Sequence, residues 1–494
     1  MTELIKHPYK YFTYELEFAR REAEILLSDT DLIGTENGFF SQKEASADVL
    51  KRLVYFSSVI DADQSINQTT QALLEKTATN TKRQATRYSV HGLHEYKGKF
   101  NPQVVKALLN MFEVKKGDHV LDPFCGSGTS LIESAHLGIH ANGTDINPLA
   151  VYIANAKLEA LKIDATYIKE ELEIVLEHVD DFKLNEDLED KRVEYLLSWF
   201  DKDIYETLEK LKKTIETYAL KSRNILLVLA SNLLREYSQQ DPNDLRIRRR
   251  KSPLPEVPFL QVFKDSVLSF VDRKSSVNQY IEKCPETSKA INIDIRNVKP
   301  EDFDIKFDAA MTSPPYATAL PYIDTQRLSL VWLGLIPATE ILPLESRLIG
   351  SREVRGKVAK DNLFNGLLSN IDNLPQAQAD YCMMLQKALT DEDGFRRQAV
   401  PTLLYRYFVG MKKMFQSVHS IMKSDAPFGL IVGGNHTVLS GQRFDIDTPQ
   451  HLAEIAEQCG WKHVESVPLQ TYQRYGYHQN NAINTETLII LRSI

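Results

Sequence analysis

Cysteine is scarce in this chain of 494 residues. The four cysteines, Cys125, Cys284, Cys382 and Cys459, lie far apart, and none of them forms a Cys-x-x-Cys pair. This spacing argues against a disulfide framework and against a zinc knuckle. We therefore expect a cytoplasmic protein that carries no metal.

Long apolar runs and an excess of positive charge are also missing. The longest purely apolar run covers residues 225–230, far below the roughly 20 residues of a membrane span. The first residues contain no apolar segment typical of a secretory signal. With 59 basic and 67 acidic side chains the net charge is -8. This balance excludes a protein that coats nucleic acid through overall charge, so any polyanion contact requires a local patch.

Strand–turn–helix units recur along the chain and predict one α/β sheet with two insertions rather than three separate domains. Apolar residues at spacings of three and four in the polar segment 1–80 predict a helical N-terminal region. The catalytic domain is assigned to residues 81–160, 286–336 and 401–494. The insertions are 161–285, which is mainly helical in pattern, and 337–400.

Residues 122–129, Asp-Pro-Phe-Cys-Gly-Ser-Gly-Thr, stand between a predicted strand and a predicted helix. Glycines at such a turn allow a ligand to approach the backbone, and the helix start offers free N–H groups. Asp145 follows at the end of the next predicted strand, where a carboxylate can accept both ribose hydroxyls of a nucleoside cofactor. The alternative is that Asp145 only caps the following helix.

Residues 312–316, Thr-Ser-Pro-Pro-Tyr, follow another predicted strand. The two prolines fix the backbone and expose the Ser313 hydroxyl and the Pro314 carbonyl as hydrogen-bond acceptors. Such a turn can hold an exocyclic amine while Tyr316 stacks on the ring that carries it. A tight turn with a packing tyrosine is the structural alternative.

These two loops together resemble the amino-group S-adenosylmethionine-dependent DNA methyltransferases. Residues 122–129 are similar to the family's cofactor loop, and residues 312–316 are similar to its catalytic loop. Residues 94–102 resemble the segment that encloses the methionine part of the cofactor, and Asp294 stands where the family contacts the adenine ring. Residues 322–324 resemble the stretch after the catalytic loop. The resemblance covers about half of the chain.

The resemblance implies a fold, a cofactor and a set of site residues. The fold is a class I, Rossmann-like S-adenosylmethionine-dependent methyltransferase sheet with largely helical insertions. The residues expected to bind S-adenosylmethionine are Lys99, Phe100, Asn101, Pro102, Asp122, Pro123, Phe124, Cys125, Gly126, Ser127, Gly128, Thr129, Asp145, Ile146, Asp294 and Thr312. The residues expected to carry the chemistry are Ser313, Pro314, Pro315 and Tyr316.

Ser313 distinguishes between the reactions of this family. Ser-Pro-Pro-Tyr is typical of cytosine-N4 enzymes, whereas Asp or Asn at that position is typical of adenine-N6 enzymes. Cytosine-C5 chemistry requires a thiolate nucleophile, commonly from a Pro-Cys pair. The sequence has no Pro-Cys pair, and Cys125 is expected to be a small loop residue. An adenine-N6 DNA enzyme, an RNA amino-methyltransferase and a cofactor-binding module without catalysis are the alternatives.

The implied activity is site-specific DNA methylation on a flipped-out cytosine, as in restriction–modification systems. Double-stranded DNA is then the partner, with a separately encoded restriction endonuclease as a further candidate partner, and neither a membrane nor a metal is expected. A basic run and a polar-aromatic segment (residues 472–481) are the candidates for DNA contact, and a solvated loop is the alternative for each. The cationic residues in question are Arg246, Arg248, Arg249, Arg250, Lys251 and Arg474.

Two further points concern target recognition and histidine. Either insertion, 161–285 or 337–400, is a candidate for reading the DNA sequence. His91 and His94 are expected to be hydrogen-bonded residues rather than metal ligands, because no matching cluster of Cys, His or Asp is evident in the sequence.

Overall fold

The computed structural model describes residues 1–76, 84–96, 98–183, 190–244, 247–317, 323–470 and 485–494. The strands are β1 (Thr2–Lys6), β2 (Ile33–Gly34), β3 (Gly38–Ser41), β4 (Phe56–Asp61), β5 (Ile66–Gln68), β6 (His119–Asp122), β7 (His140–Asp145), β8 (Lys289–Asn292), β9 (Ala309–Thr312), β10 (Pro427–Gly433), β11 (Asn435–Leu439), β12 (Gln442–Ile446), β13 (Trp461–Gln470) and β14 (Thr485–Ser493).

The helices alternate with these strands over most of the chain. They are α1 (Thr13–Leu27), α2 (Ala47–Arg52), α3 (Thr70–Glu75), α4 (Pro102–Met111), α5 (Thr129–His136), α6 (Pro148–Lys162), α7 (Ala165–His178), α8 (Lys191–Leu197), α9 (Lys202–Tyr218), α10 (Arg223–Leu233), α11 (Phe259–Val277), α12 (Arg327–Trp332), α13 (Ile341–Arg347), α14 (Lys357–Ser369), α15 (Gln376–Lys387), α16 (Phe395–Gln398), α17 (Val400–Ile421) and α18 (Thr448–Glu457). In the part of the chain that the structure describes, none of the helices has the length and apolar character needed to cross a membrane.

A central sheet organises the molecule. Within the described residues its order is β13-β14-β10-β9-β6-β7-β8. The five strands from β10 to β8 run parallel, and β14 is antiparallel to both of its neighbours. This arrangement confirms the expected class I, Rossmann-like fold. The chain leaves β6 toward β7 and β8 on one side and returns as β9 and β10 on the other. Ligands bind at such a switch point, beyond the carboxyl ends of the strands.

Residues 1–80, which the sequence predicts to be helical, combine helices with strands in the structure. The helical spacing is real in α1, but a second sheet with the order β2-β3-β1-β4-β5 makes up much of this region. Its strands are only two to six residues long, and β1 pairs with partners more than 30 residues away. Such short strands carry too few alternations for a sequence pattern to reveal them. The region packs against α4 and the central sheet through Leu4, Phe18, Leu108, Val120 and Met311.

Both predicted insertions pack against the catalytic sheet. Residues 161–285 contain α7 to α11, and their apolar faces join one buried cluster with α6. Residues 337–400 contain α13 to α16, and Leu367, Cys382 and Leu385 pack in one cluster with α17. The sequence pattern also missed the β11–β12 hairpin, which directly follows the buried strand β10. A role for either insertion in target recognition stays a prediction.

Candidate functional site

The two predicted loops meet because they follow neighbouring strands. Strands β6 and β9 are paired, so the segment after Asp122 and the segment after Thr312 leave the sheet side by side. A cavity of about 400 Å³ opens beyond them, lined by Gly126, Asp145 and residues 313–316, among others. A smaller cavity of about 20 Å³ lies between residues 94–102, the upstream segment, and the cofactor loop. Ser313 lines both cavities.

Hydrogen bonds to the Asp122 carboxyl group connect the cofactor loop to the catalytic loop. Its Oδ1 atom accepts a hydrogen bond from the Thr312 hydroxyl at 2.7 Å and one from the Phe124 backbone N–H at 3.1 Å. The Ser130 hydroxyl donates to Oδ2, and burial raises the pKa of Asp122 to about 6. The carboxyl group and the Thr312 hydroxyl are thus occupied with holding the loops together. Asp122 also lines the small cavity, and direct cofactor contact by Asp122 and Thr312 stays a prediction.

Glycines in the cofactor loop serve two different purposes. Gly126 has a φ of +48°, and a Cβ atom there would lie 3.2 Å from the Tyr96 ring, at the wall of the main cavity. Gly128 has a φ of +81° and caps α5, and a Cβ atom there would lie 2.8 Å from the Cβ of Ala154. Gly126 therefore keeps the backbone open toward a ligand, whereas Gly128 allows α5 to pack closely on α6.

Asp145 lies at the carboxyl end of β7 and lines the main cavity together with Ile146. Its Oδ2 accepts from the Gly126 N–H at 3.0 Å, and its Oδ1 accepts from the Asn147 N–H at 2.8 Å. A carboxylate has about four lone-pair sites, so acceptor capacity remains for ribose hydroxyls. The alternative role is excluded, because the N-cap of α6 is Asn147, which accepts from the Leu149 N–H. Burial raises the pKa of Asp145 to about 6.

Cys125 and Ser127 are buried and line the small cavity, whereas neither is among the residues that line the main cavity. Cys125 packs so closely on Gly143 that a Cβ atom on that glycine would lie 2.7 Å from the Cys125 Sγ. Burial raises the pKa of the Cys125 thiol, which agrees with a small loop residue rather than a nucleophile. The Ser127 carbonyl accepts from the Nζ of Lys157 at 2.8 Å, and burial lowers the pKa of this lysine to about 7. Lys157 therefore stabilises the cofactor loop through this hydrogen bond.

Residues of the upstream segment line one side of the cavity, and some of their side chains are also hydrogen-bonded within the protein. Phe100 lines the cavity, and so does Lys99, whose Nζ donates to the Thr86 carbonyl at 2.6 Å. Asn101 also lines it, but its side chain caps α4 by accepting from the Gln103 N–H at 2.9 Å. Pro102 is buried in the first turn of α4 and is not among the residues that line the two cavities.

The adenine side of the predicted site combines Asp294 and Arg296, which both line the cavity. Asp294 accepts from the backbone N–H of Arg296 at 3.0 Å and forms an ion pair of 2.5 Å with its guanidinium. The same guanidinium donates to the Arg347 carbonyl at 2.7 Å. Asp294 therefore stands at the expected place with part of its acceptor capacity already used.

The catalytic loop lies against residues that the sequence did not indicate. The Tyr316 hydroxyl donates to a carboxylate oxygen of Glu486 on β14. The Tyr316 carbonyl is so close to Gly350 that a Cβ atom there would lie 2.3 Å away. The cavity lining that sequence reasoning missed comprises Tyr14, Tyr96, Arg347, Leu348, Ile349, Gln470 and Glu486, among others. No local motif marks these residues, and Tyr96 alone stands inside a segment that the resemblance singled out.

The basic run does not present a row of free cations. Arg248 is 65% exposed and forms a 2.9 Å ion pair with Asp244. Arg249 lies 4.4 Å from the Trp199 ring and donates to the Ser198 carbonyl. The Arg250 side chain is only 2% exposed, so a phosphate cannot reach it in this structure, and Lys251 is exposed. Predictions made for Arg246, Arg474, Tyr322 and the whole of 472–481 lie outside the described residues.

His91 belongs to a buried hydrogen-bonded cluster. Its Nε2 lies 2.6 Å from Oε1 of Glu133, and the Tyr88 hydroxyl donates to the same oxygen at 2.8 Å. His136 lies 3.6 Å from the other Glu133 oxygen. The potential metal-ligand atoms of the two histidines and Glu133 lie within 4.8 Å of one another, a grouping that the sequence alone did not reveal. Burial lowers the pKa of the more distant His94 to about 4, and its Nδ1 lies 2.8 Å from the Glu95 carbonyl.

Comparisons with known proteins find similarity to methyltransferases. Residues 55–180 match the model of the UPF0020 family, described as an RMKL-like methyltransferase domain. The chain is 27% identical over 417 residues to the type II methyltransferase M.MvaI of Kocuria varians, covering 78% of this chain and 84% of the relative. It is 29% identical over 273 residues to the type II methyltransferase M.BsoBI of Geobacillus stearothermophilus, covering 50% and 53%.

A shorter match concerns an RNA enzyme. A tRNA (guanine(10)-N2)-dimethyltransferase of Methanocaldococcus jannaschii is 38% identical over 90 residues, which cover 16% of this chain and 26% of the relative. The family match at 55–180 includes the cofactor loop and Asp145. The chain is therefore a methyltransferase by fold and by relatives, and S-adenosylmethionine is its methyl donor. The glycine turn at Gly126, the free acceptor capacity of Asp145 and the size of the cavity fit this cofactor.

Proposed function

We propose that this protein methylates DNA at specific sites, on the exocyclic N4 amine of cytosine. The observation that carries the proposal is the position of Ser313, which lines both the main cavity and the small cavity beside the cofactor loop. An amine held by this loop stands next to the place where the cofactor binds. S-adenosylmethionine, when bound, supplies an electrophilic methyl group.

The catalytic loop provides two acceptors for the target amine. The amine of cytosine is a poor nucleophile, because its lone pair is delocalised into the ring. Hydrogen bonds from its N–H groups to the Ser313 hydroxyl and the Pro314 carbonyl favour a pyramidal nitrogen and direct its lone pair toward the cofactor side. Such positioning contributes several kcal/mol to catalysis. No covalent enzyme intermediate is needed, in agreement with the buried Cys125 thiol.

The target base has to leave the duplex to reach this cavity, as in other enzymes that modify a base. Tyr316 lines the cavity directly after the two prolines and is placed to stack on the extruded ring. Two type II methyltransferases that match half or more of the chain support DNA as the substrate. A separately encoded endonuclease as partner, and the cytosine preference that Ser313 indicates, are further parts of this proposal.

The test is to incubate the full chain with labelled S-adenosylmethionine and a mixture of plasmid DNA and total RNA, followed by nucleoside mass spectrometry. N4-methylcytosine in the DNA is the expected product, and a Ser313→Ala variant run in parallel controls for contaminating activities. N6-methyladenine would move the activity to the adenine class. Methylated guanosine in the RNA would favour an RNA function, as in the archaeal tRNA enzyme that matches part of the chain.

A further inference from the structure

Glu486 is a partly buried acid that lines the main cavity and has no role assigned so far. It lies in β14, where it pairs with Leu469 of β13 on one side and with Gly433 of β10 on the other. Gly433 is the last residue of β10, so Glu486 stands at the carboxyl edge of the sheet. This is the same edge from which the cofactor loop and the catalytic loop emerge.

The contacts of Glu486 direct it toward the catalytic loop. One carboxyl oxygen accepts the hydrogen bond of the Tyr316 hydroxyl, and the residue lines the cavity together with Ser313 and Pro314. Gln470, at the end of β13, lines the same cavity. The buried Oε1 of Gln470 has no hydrogen-bond partner among the residues that the structure describes. Two polar side chains of the terminal hairpin therefore face the space that the target base would occupy.

We propose that Glu486, together with Gln470, reads the ring edge of the flipped-out base beside the amine that becomes methylated. This inference rests on the proposed function and adds a specificity-determining contact to it. Enzymes of this type read the extruded base by hydrogen bonds to its Watson–Crick edge. In cytosine the ring nitrogen N3 beside the amine is an acceptor, as is N1 of adenine, whereas guanine carries an N–H group at that place.

A protonated carboxyl group is a hydrogen-bond donor and matches the acceptor nitrogen of cytosine and adenine. Burial raises the pKa of Glu486, which favours this form, as in other active sites that keep a carboxylic acid neutral. The Tyr316 hydroxyl donates to Oε1, which leaves Oε2 to carry the proton. Guanine would place its ring N–H against that proton, so the same contact rejects guanine. Sites that hydrogen-bond a substrate discriminate strongly against analogues that leave a buried group unpaired.

The experiment uses an oligonucleotide with the site that the wild-type enzyme methylates, carrying either cytosine or 3-deazacytosine as the target base. The analogue replaces the N3 acceptor by a C–H group. Three proteins are compared: the wild type, Glu486→Gln, which keeps an N–H donor, and Glu486→Leu, which has none. Thermal unfolding and S-adenosylmethionine binding of each variant establish that fold and cofactor site are intact.

For the wild type we expect a fall in kcat/KM of about tenfold or more on the analogue, the scale of one hydrogen bond in a buried site. Glu486→Leu should show that loss already on cytosine and no further loss on the analogue. Glu486→Gln should retain both the activity on cytosine and the penalty for the analogue. Glu486→Ala, which also has no donor, should behave like Glu486→Leu and provides a second measurement if Glu486→Leu fails to fold.

An unchanged analogue penalty in Glu486→Leu, or equal damage in Glu486→Gln and Glu486→Leu, would overturn the inference. The product of the wild-type enzyme is identified first, so a failure of the proposed function is visible before any variant is compared. If that product is N6-methyladenine, the same series with 1-deazaadenine tests the same contact. Guanine methylation by the wild type would overturn both the inference and the cytosine proposal.

Discussion

A single residue of this site can both stabilise a loop and line the cavity where a ligand binds, and Asp145 does both. Its carboxylate accepts from the Gly126 N–H and also lines the cavity. Asp122, by comparison, accepts three hydrogen bonds, from Thr312, Phe124 and Ser130, which join the loops to each other and to α5. Substitutions at the two aspartates are therefore expected to act on different properties.

Asp145→Ala should weaken S-adenosylmethionine binding by about 1.5 to 3 kcal/mol, because the ribose hydroxyls lose a charged acceptor. Asp145→Asn keeps one oxygen and should lose less. Isothermal calorimetry measures the affinities, and Asp122→Asn serves as the comparison, with its main effect on thermal stability. Unchanged affinity in a folded Asp145→Ala variant would contradict the ribose assignment.

Ser313→Ala should slow methyl transfer more than it weakens DNA binding, because the lost acceptor matters most as the amine becomes pyramidal. The loss of one oriented hydrogen bond of this kind corresponds to a roughly tenfold to thousandfold slower step. Single-turnover rates at saturating cofactor and DNA measure the step directly. Transfer at the parental rate would show that this loop does not hold the target amine, and would remove the main support for cytosine N4.

Tyr316→Ala should weaken retention of the flipped base by about 1 to 3 kcal/mol, the usual scale of base–aromatic stacking. Tyr316→Phe is the matched control, since it keeps the ring and removes the hydroxyl that donates to Glu486. A fluorescent base analogue at the target position reports extrusion of the base. Equal fluorescence changes in the Ala and Phe variants would show that stacking on Tyr316 does not retain the base.

At the scale of elements, the basic run after α10 shows that cations adjacent in the sequence have different environments in the folded chain. Arg248 and Lys251 stay exposed, whereas Arg249 packs on Trp199 and the Arg250 side chain is buried. The sequence presents these four cations as equivalent. Arg248, Arg249 and Lys251 are all exposed, although Arg249 is held against Trp199, and Arg250 serves the packing of the segment.

Neutralising Arg248 and Lys251 together should weaken DNA binding across sequences. It should also flatten the slope of log affinity against log salt concentration by up to about 0.9 for each lost phosphate contact. Arg250→Ala is the internal comparison, and it should lower thermal stability while leaving that slope unchanged. If the double variant keeps the parental slope, the run is a solvated segment without a part in DNA binding.

At the scale of the whole molecule, a group of buried ionisable side chains connects the segment ahead of the central sheet to the helix that follows the cofactor loop. His91 lies in a 3-10 helix (Ser89–Gly92) ahead of the sheet, and its ring is bound to Glu133 of α5, the helix that follows the cofactor loop. Burial and the charge of Lys99 lower the pKa of His91 to about 3. Burial opposes the ionisation of Glu133, but His136 and His91 together hold the pKa of Glu133 below its usual range.

These shifts predict acid sensitivity. The unfolded chain protonates His91 below about pH 6.5, whereas the folded chain keeps it neutral. Its contribution to stability is therefore complete above pH 6.5 and is lost progressively as the pH falls toward 3. The free energy of unfolding should decrease by up to about 1.4 kcal/mol per pH unit for this one proton.

Thermal unfolding between pH 7.5 and 5.5 checks this expectation. His91→Gln should be less stable at pH 7.5 and should lose less stability on acidification than the wild type. His178→Gln, which replaces a partly exposed histidine at the end of α7, is the control and should follow the wild-type slope. Parallel pH profiles of the wild type and His91→Gln would contradict the assignment.

The sequence by itself determined the parts of this protein that are encoded locally. The cofactor loop at 122–129, Asp145 and the loop at 312–316 each lie at the end of a strand, and proline and glycine fix their turns within a few residues. The order of strands and helices from β6 to β10 follows from the same local patterns. For this reason the α/β class and the position of the candidate site could be predicted from the residues, and the resemblance of these loops to a known family supplied the cofactor.

Only the tertiary structure decided which side chains share the cavity and which are occupied elsewhere. Glu486 is 170 residues from Tyr316 in the chain, and β1 pairs with strands more than 30 residues away. No short pattern encodes such pairings, because they depend on the stacking of whole elements. The burial of Arg250 and the attachment of Thr312 to Asp122 have the same origin. A charge or a hydroxyl acquires its role from its neighbours in space, and these neighbours come from distant parts of the chain.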